Sequence, residues 1–156
     1  MATIELVRIR EHEKPRLWSM LQRYLAELST LGGAQAVAGE FQYRYFEDYW
    51  RDPERWPFWI TSDGQVAGFA LVRRRDDGVV EMAEFFIAAE HRRSGIGSKS
   101  ARALFARFPG RWHLSEFRQN HPAISFWRTV LRGFAAYEET AGEERIEQSF
   151  ELSNPH

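Results

Sequence analysis

The stretch from Glu81 to about Arg107 leaves a chain of this kind few ways to fold. Glu81-Met82-Ala83-Glu84-Phe85-Phe86-Ile87 reads as a mostly apolar strand. Ala88-Ala89-Glu90-His91 leads on to Arg92-Arg93-Ser94-Gly95-Ile96-Gly97, a basic glycine loop, and Ser98 to about Arg107 has the pattern of a helix. A strand joined to a helix by such a loop is a way of building an anion site. Glycine lets backbone N–H groups approach a ligand closely, and the helix start adds unpaired N–H groups and the positive end of a dipole. Arg92 and Arg93 add charge that suits phosphate oxygens.

The rest of the chain supplies a sheet for this unit. Ile4 to Arg10 alternates as a strand does, and Lys14-Pro15 suits a helix start, with Leu17, Leu21, Tyr24, Leu25 and Leu28 at helical spacing and Gly32-Gly33 as its end. Phe41 to Trp50 is dense in aromatics and predicts a short helix before Asp52-Pro53. Phe58 to Thr61 and Val66 to Arg73 read as strands joined by the turn Ser62-Asp63-Gly64, and Arg73 to Gly78 as the next hairpin tip. Trp112 to Phe117 predicts a short strand, Pro122 to Leu131 a helix, and Phe134 to Tyr137 with Arg145 to Leu152 a closing strand pair. The order implies an α/β fold with a mixed sheet.

Composition narrows the function. A chain of 156 residues, 44% hydrophobic and 28% charged, reads as one soluble domain spanning 1–156. A net charge of −1 gives no field directed at nucleic acid or a membrane surface. The N-terminus lacks a signal-peptide core, and no apolar run approaches the ~18 residues of a membrane span. A cytoplasmic protein is the expectation. Without cysteine there is no disulfide, thiolate metal site or cysteine acyl-enzyme. The five histidines lack metal-ligand spacing, so no metal is expected.

Two familiar phosphate loops fail. A P-loop needs G-x-x-x-x-G-K-[ST], but Gly97 is followed by Ser98-Lys99 and the first glycine is missing. A dinucleotide fingerprint needs a third glycine and an early βαβ unit, and Gly95-Ile96-Gly97 has neither. What fits is [R/Q]-x-x-G-x-[G/A], met by Arg92, Gly95 and Gly97. Downstream come Asn120-x-x-Ala123-x-x-Phe126-Trp127 and Gly133-Phe134. In this set of motifs the chain resembles the GCN5-related N-acetyltransferase family, over nearly its whole length in element order and over Val66 to Phe134 in motifs. The resemblance implies a mostly antiparallel central sheet flanked by about four helices, with acetyl-CoA as co-substrate.

The resemblance also implies roles residue by residue. Main-chain N–H groups on the strand before the loop face the co-substrate where that strand splays from its neighbour. The matching positions are Phe85 for the thioester oxygen and Ile87 for the pantetheine arm, with Phe86 between them. Arg92, Arg93, Ser94, Gly95, Ile96, Gly97 and Ser98 match the pyrophosphate loop. Asn120 either caps the next helix or reaches the pantetheine amides, and Phe126 belongs to the same motif. Glu81 matches a catalytic glutamate of some members; Glu84 is the second candidate for general base. Three residues apart on one strand, the two are expected to face opposite sides of the sheet. Many relatives have a tyrosine at the position of Trp127 as proton donor, a role that an indole N–H cannot fill.

The aromatic group Phe41, Tyr43, Tyr45, Phe46, Tyr49, Trp50, Trp56, Phe58 and Trp59 is expected to be mostly core, with one or two members facing an acceptor cleft. Arg73-Arg74-Arg75 reads as a solvated turn. The resemblance implies a small-molecule or peptide amine as acceptor, and exposed aromatics or the strand near Arg145 to Leu152 suit a homodimer. A different class stays open: an acyl-CoA-binding sensor or assembly module of the same fold without turnover.

Overall fold

The computed structural model describes residues 2–31 and 40–152. Seven strands form one sheet: β1 (Ile4–Arg8), β2 (Arg55–Ser62), β3 (Gln65–Arg74), β4 (Val80–Ile87), β5 (Gly110–Phe117), β6 (Ala135–Ala141) and β7 (Arg145–Leu152). Their order in space is β1-β2-β3-β4-β5-β7-β6. Every neighbouring pair is antiparallel except β4 and β5. The helices are α1 (Lys14–Ser29), α2 (Asp48–Arg51), α3 (Ile96–Arg107) and α4 (His121–Val130). Among the described residues no helix is long and apolar enough to cross a membrane. The expected helix end at Gly32-Gly33 lies outside the described residues.

Two apolar layers cover the sheet. One face carries Leu17, Leu21 and Leu25 of α1 with Tyr49, Trp59, Phe69, Leu71 and Phe86. The other carries Ala101, Leu104 and Phe105 of α3 and Trp127 and Val130 of α4, packed on Phe58, Val72, Trp112 and Phe150. Alternation along each strand sorts its residues between these layers.

Two features of the sheet create the site. First, the β3–β4 register slips between Leu71 opposite Glu84 and Val72 opposite Met82, so Ala83 is an extra residue in β4. Second, β4 pairs with β5 only at Val80 with Trp112 and Glu81 with His113. From Met82 onward, β4 has a ladder partner on the β3 side alone, and a gap opens in mid-sheet.

The strand near Arg145 does not form an edge: β7 is paired on one side with β5 and on the other with β6, whose seven residues are all exposed. Pro57 lies inside β2, where Ile9 N–H donates to its carbonyl at 2.9 Å, just past the last β1 rung at Arg8 opposite Phe58. The donor that proline lacks therefore falls beyond the end of the β1 ladder.

Candidate active site

The main-chain direction at the gap follows from two contacts on its far side. The Phe86 carbonyl faces β3 so closely that a Cβ on Gly68 would sit 1.9 Å from it. Ala88 N–H also faces that way, donating to Ala67 O at 2.8 Å. Peptide groups alternate along a strand, so the N–H groups of Phe85 and Ile87 face the gap.

The loop after β4 is held from below. Arg92 Nε donates to Ile87 O at 2.7 Å, and its terminal nitrogen meets both Glu27 oxygens at 2.9 and 3.1 Å. The guanidinium thus staples the loop to β4 and α1, while Arg93 carries no such tie among the described residues. Arg93 (φ 66°) and Gly95 (φ 81°) both adopt left-handed backbone around Ser94. Alternating backbone of this kind turns successive N–H groups into one concavity. Gly95 is the N-cap of α3, and the first intrahelical bond runs from Lys99 N–H to Gly95 O at 3.1 Å. The N–H groups of Ile96, Gly97 and Ser98 therefore precede the helix ladder. The helix begins two residues before the Ser98 expected from the pattern, because glycine can take the cap conformation. Gly97 has a packing role as well, since a Cβ there would lie 3.1 Å from the Phe126 ring. Phe126 in turn stacks on Phe85 with centroids 6.0 Å apart. Asn120 caps α4, its Oδ1 accepting from Ala123 N–H at 3.3 Å. Trp127 is buried, edge-on to Phe85 at 5.1 Å.

Glu81 and Glu84 share a face, contrary to the expectation from spacing. The extra residue at Ala83 shifts the alternation by one, so both side chains point to the α1/α2 side. Their environments differ. Glu84 is half-buried, and both carboxylate oxygens are engaged by phenols: Tyr24 O–H donates to it at 2.7 Å and Tyr43 O–H at 2.9 Å. Burial pushes its carboxyl above the usual range, against the pull of those two hydrogen bonds, and raises both phenols far enough that they remain donors. Glu81 is half-buried and meets Arg75 at 3.5 Å, Arg73 at 3.8 Å and His113 Nδ1 at 3.9 Å.

Two cavities meet at the gap, and Met82, Ala83, Glu84, Leu114 and Ser115 line both. The first, about 230 Å³, is completed by Tyr43, Tyr45, Tyr49, Arg55, Arg73, Glu81 and His113. Of the aromatic group, then, three tyrosines face it, while Phe41, Phe46, Phe58 and Trp59 are core. Arg73 and Arg74 are ion-paired, to Glu81 and Glu54, rather than merely solvated. The second cavity, about 220 Å³, runs between Tyr24 of α1 and Ala123 and Trp127 of α4, past Phe85 and Asn120.

Several residues of the site do not stand out in the sequence. Glu116 is buried in the second cavity, takes a hydrogen bond from Gln148 Nε2 at 2.8 Å, and has its other oxygen unpartnered among the described residues. Burial pushes its carboxyl up to about 7. A signal for it exists: Glu116 is in phase with Trp112 and Leu114, a carboxylate on an apolar face. Tyr24 shows in the sequence only as an apolar helix position, and Arg55 shows no signal at all.

The Acetyltransferase (GNAT) family model matches residues 17–134. No curated protein sequence matches the chain. Among solved structures, an acetyltransferase from Thermus thermophilus superposes with a TM-score of 0.76 at 18% identity, covering 96% of this chain and 97% of that one. The ribosomal-protein-S18-alanine N-acetyltransferase of Escherichia coli gives 0.68 at 15% identity, with 99% and 97% covered. A PaiA N-acetyltransferase from Thermoplasma acidophilum, solved in complex with coenzyme A, gives 0.63 at 15% identity, with 96% and 99% covered.

Proposed function

The chain belongs to the GNAT acetyltransferase family, and from that premise we propose that it moves an acetyl group from acetyl-CoA to a primary amine by direct attack in a ternary complex. The observation that carries this reading is the lost pairing between β4 and β5 after Glu81 and His113, which frees main-chain donors at mid-sheet. Phe85 N–H polarises the thioester carbonyl, a role independent of its side chain. Ile87 N–H, Asn120 and the Phe126 ring, with Phe86 setting the strand, guide the pantetheine arm. The N–H groups from Arg93 to Ser98 hold the pyrophosphate at the positive end of α3, and Arg92 fixes the loop that presents them.

Glu84 serves as general base. We assign the first cavity to the acceptor and the second to the cofactor; Glu84 borders both, whereas Glu81 borders the acceptor side alone and is engaged by two arginines and His113. A carboxylate raised by burial is the better proton acceptor near neutral pH. Trp127 has no proton to give the departing thiolate. Glu116, in the cofactor-side cavity and titrating near 7, supplies it and is recharged from solvent. The net exchange is one amine proton lost and one thiol proton gained.

Calorimetric titration with CoA and acetyl-CoA, followed by thiol release over a panel of amines, tests the reading. Saturable binding of both and amine-dependent thiol release are expected. No affinity for either would overturn it, and binding without turnover on any amine would favour the sensor or assembly module.

A further inference from the structure

The outer end of the acceptor-side cavity has features that the transfer chemistry does not require. Arg55 of β2 stands directly opposite Arg73 of β3, and both line the cavity. Like charges facing each other across a ladder repel. Each has its closest carboxylate contact at Nε rather than at the terminal nitrogens: Asp52 at 3.4 Å from Arg55 and Glu81 at 3.8 Å from Arg73. Glu81 is moreover shared with Arg75 at 3.5 Å. The Arg55 side chain is only 11% exposed and lies over the faces of Tyr45 and Tyr49, 4.8 and 5.3 Å from their centroids. Arg55 therefore already occupies a face of each ring, and a polyamine approaching that face would meet a guanidinium.

An independent observation is the Tyr49 hydroxyl. It is buried, lines the same cavity, and has no hydrogen-bond partner among the described residues. Burial, with the Glu84 charge nearby, pushes it up to about 12, so it stays a donor. A buried donor with no acceptor, in a cavity it shares with two facing arginines, is matched by an oxyanion.

Resting on the acetyl-transfer reading above, we infer that the acceptor is a small primary amine that also carries a carboxylate or phosphonate. Tyr49, Arg55 and Arg73 clamp the anionic group while the amine points at Glu84. Register sets the spacing: Glu84 stands opposite Leu71, two β3 residues from Arg73, or about 6–7 Å along the strand. A cavity of about 230 Å³ is below the roughly 300–1,000 Å³ of ordinary ligand pockets, so the molecule is short. An ω-amino acid of a few methylenes has the required length and charges.

A matched panel tests this: γ-aminobutyrate, its amide, putrescine and aminopropylphosphonate, assayed with acetyl-CoA. The acids should exceed the amide and putrescine in kcat/KM by about tenfold or more. In Arg55→Gln and Arg73→Gln that ratio should fall towards one, and Arg55→Lys or Arg73→Lys should recover part of it. Carboxylate against phosphonate identifies which anion the clamp prefers. Equal or better turnover of the amide or putrescine would overturn the clamp while leaving acetyl transfer intact. If no amine turns over, thermal unfolding of the protein with saturating acid decides: a rise of about 2–4 °C, absent with the amide and lost in Arg55→Gln, supports the clamp. No shift from either acid overturns it. Because that measurement needs no CoA, failure of the transfer reading and failure of the clamp stay distinguishable.

Discussion

The two cavities on either side of the β4–β5 gap are built on opposite plans. On the proposed reading the cofactor side relies on main chain: N–H groups of Phe85, Ile87 and the loop from Arg93 to Ser98, contributed by a nearly continuous run. The acceptor side relies on side chains brought together by sheet register. Arg55, Arg73, Glu81 and His113 form one row across β2, β3, β4 and β5, although they lie far apart in sequence. Main-chain donors tolerate side-chain change and suit a constant ligand, whereas a side-chain row is altered by single substitutions and suits a variable one.

That contrast makes lesions on the two sides separable. The largest effect is expected for Glu84→Gln, which keeps the shape but removes the proton acceptor. Turnover should drop by about 10²–10⁴-fold while acetyl-CoA affinity in calorimetry changes little. A comparable loss from Glu81→Gln, with Glu84→Gln active, would reverse their roles. Next, Gly68→Ala attacks the main-chain side from behind. Its Cβ would meet the Phe86 carbonyl at 1.9 Å, so β3 and β4 must move apart. Urea unfolding should show a loss of about 1–3 kcal/mol, accompanied by weaker CoA binding. If CoA affinity survives, Phe85 and Ile87 are not its donors.

The smallest effect is a pH slope. Glu116 in the folded state titrates near 7, above its ordinary 4.5, so folding favours the protonated form. Its stabilising contribution is complete below about 4.5 and is lost as pH rises through about 7. Thermal midpoints should therefore fall over that interval, and Glu116→Gln should flatten the decline. An unchanged slope would show that Glu116 is not held neutral, and would remove it as the thiolate's proton donor.

Local signals carried most of the fold. Leu17, Leu21 and Leu25 recur at helical spacing and are the buried face of α1. The turn at Ser62-Asp63-Gly64 joins β2 and β3 as its residues suggest. The loop from Arg92 to Ser98 was legible as a candidate anion site because its residues are contiguous. The acceptor side was not, for a physical reason: one inserted residue, Ala83, reverses the phase of everything after it, and neither alanine nor its neighbours announce a bulge. Spacing alone therefore set Glu81 and Glu84 on opposite faces. Arg55 escaped notice because it precedes Trp56-Pro57, where a strand is not expected to continue. The facing pair Arg55 and Arg73 exists only once the register between β2 and β3 is known.

Gly68 lines neither cavity, yet the aperture depends on it. The hydrogen it carries instead of a methyl group lets two strands approach closely enough to aim their neighbours' amides the other way. Constraint on such a protein is consequently felt behind the working surface, and a mutational scan scored on activity alone would mark this position as if it were part of the reaction centre.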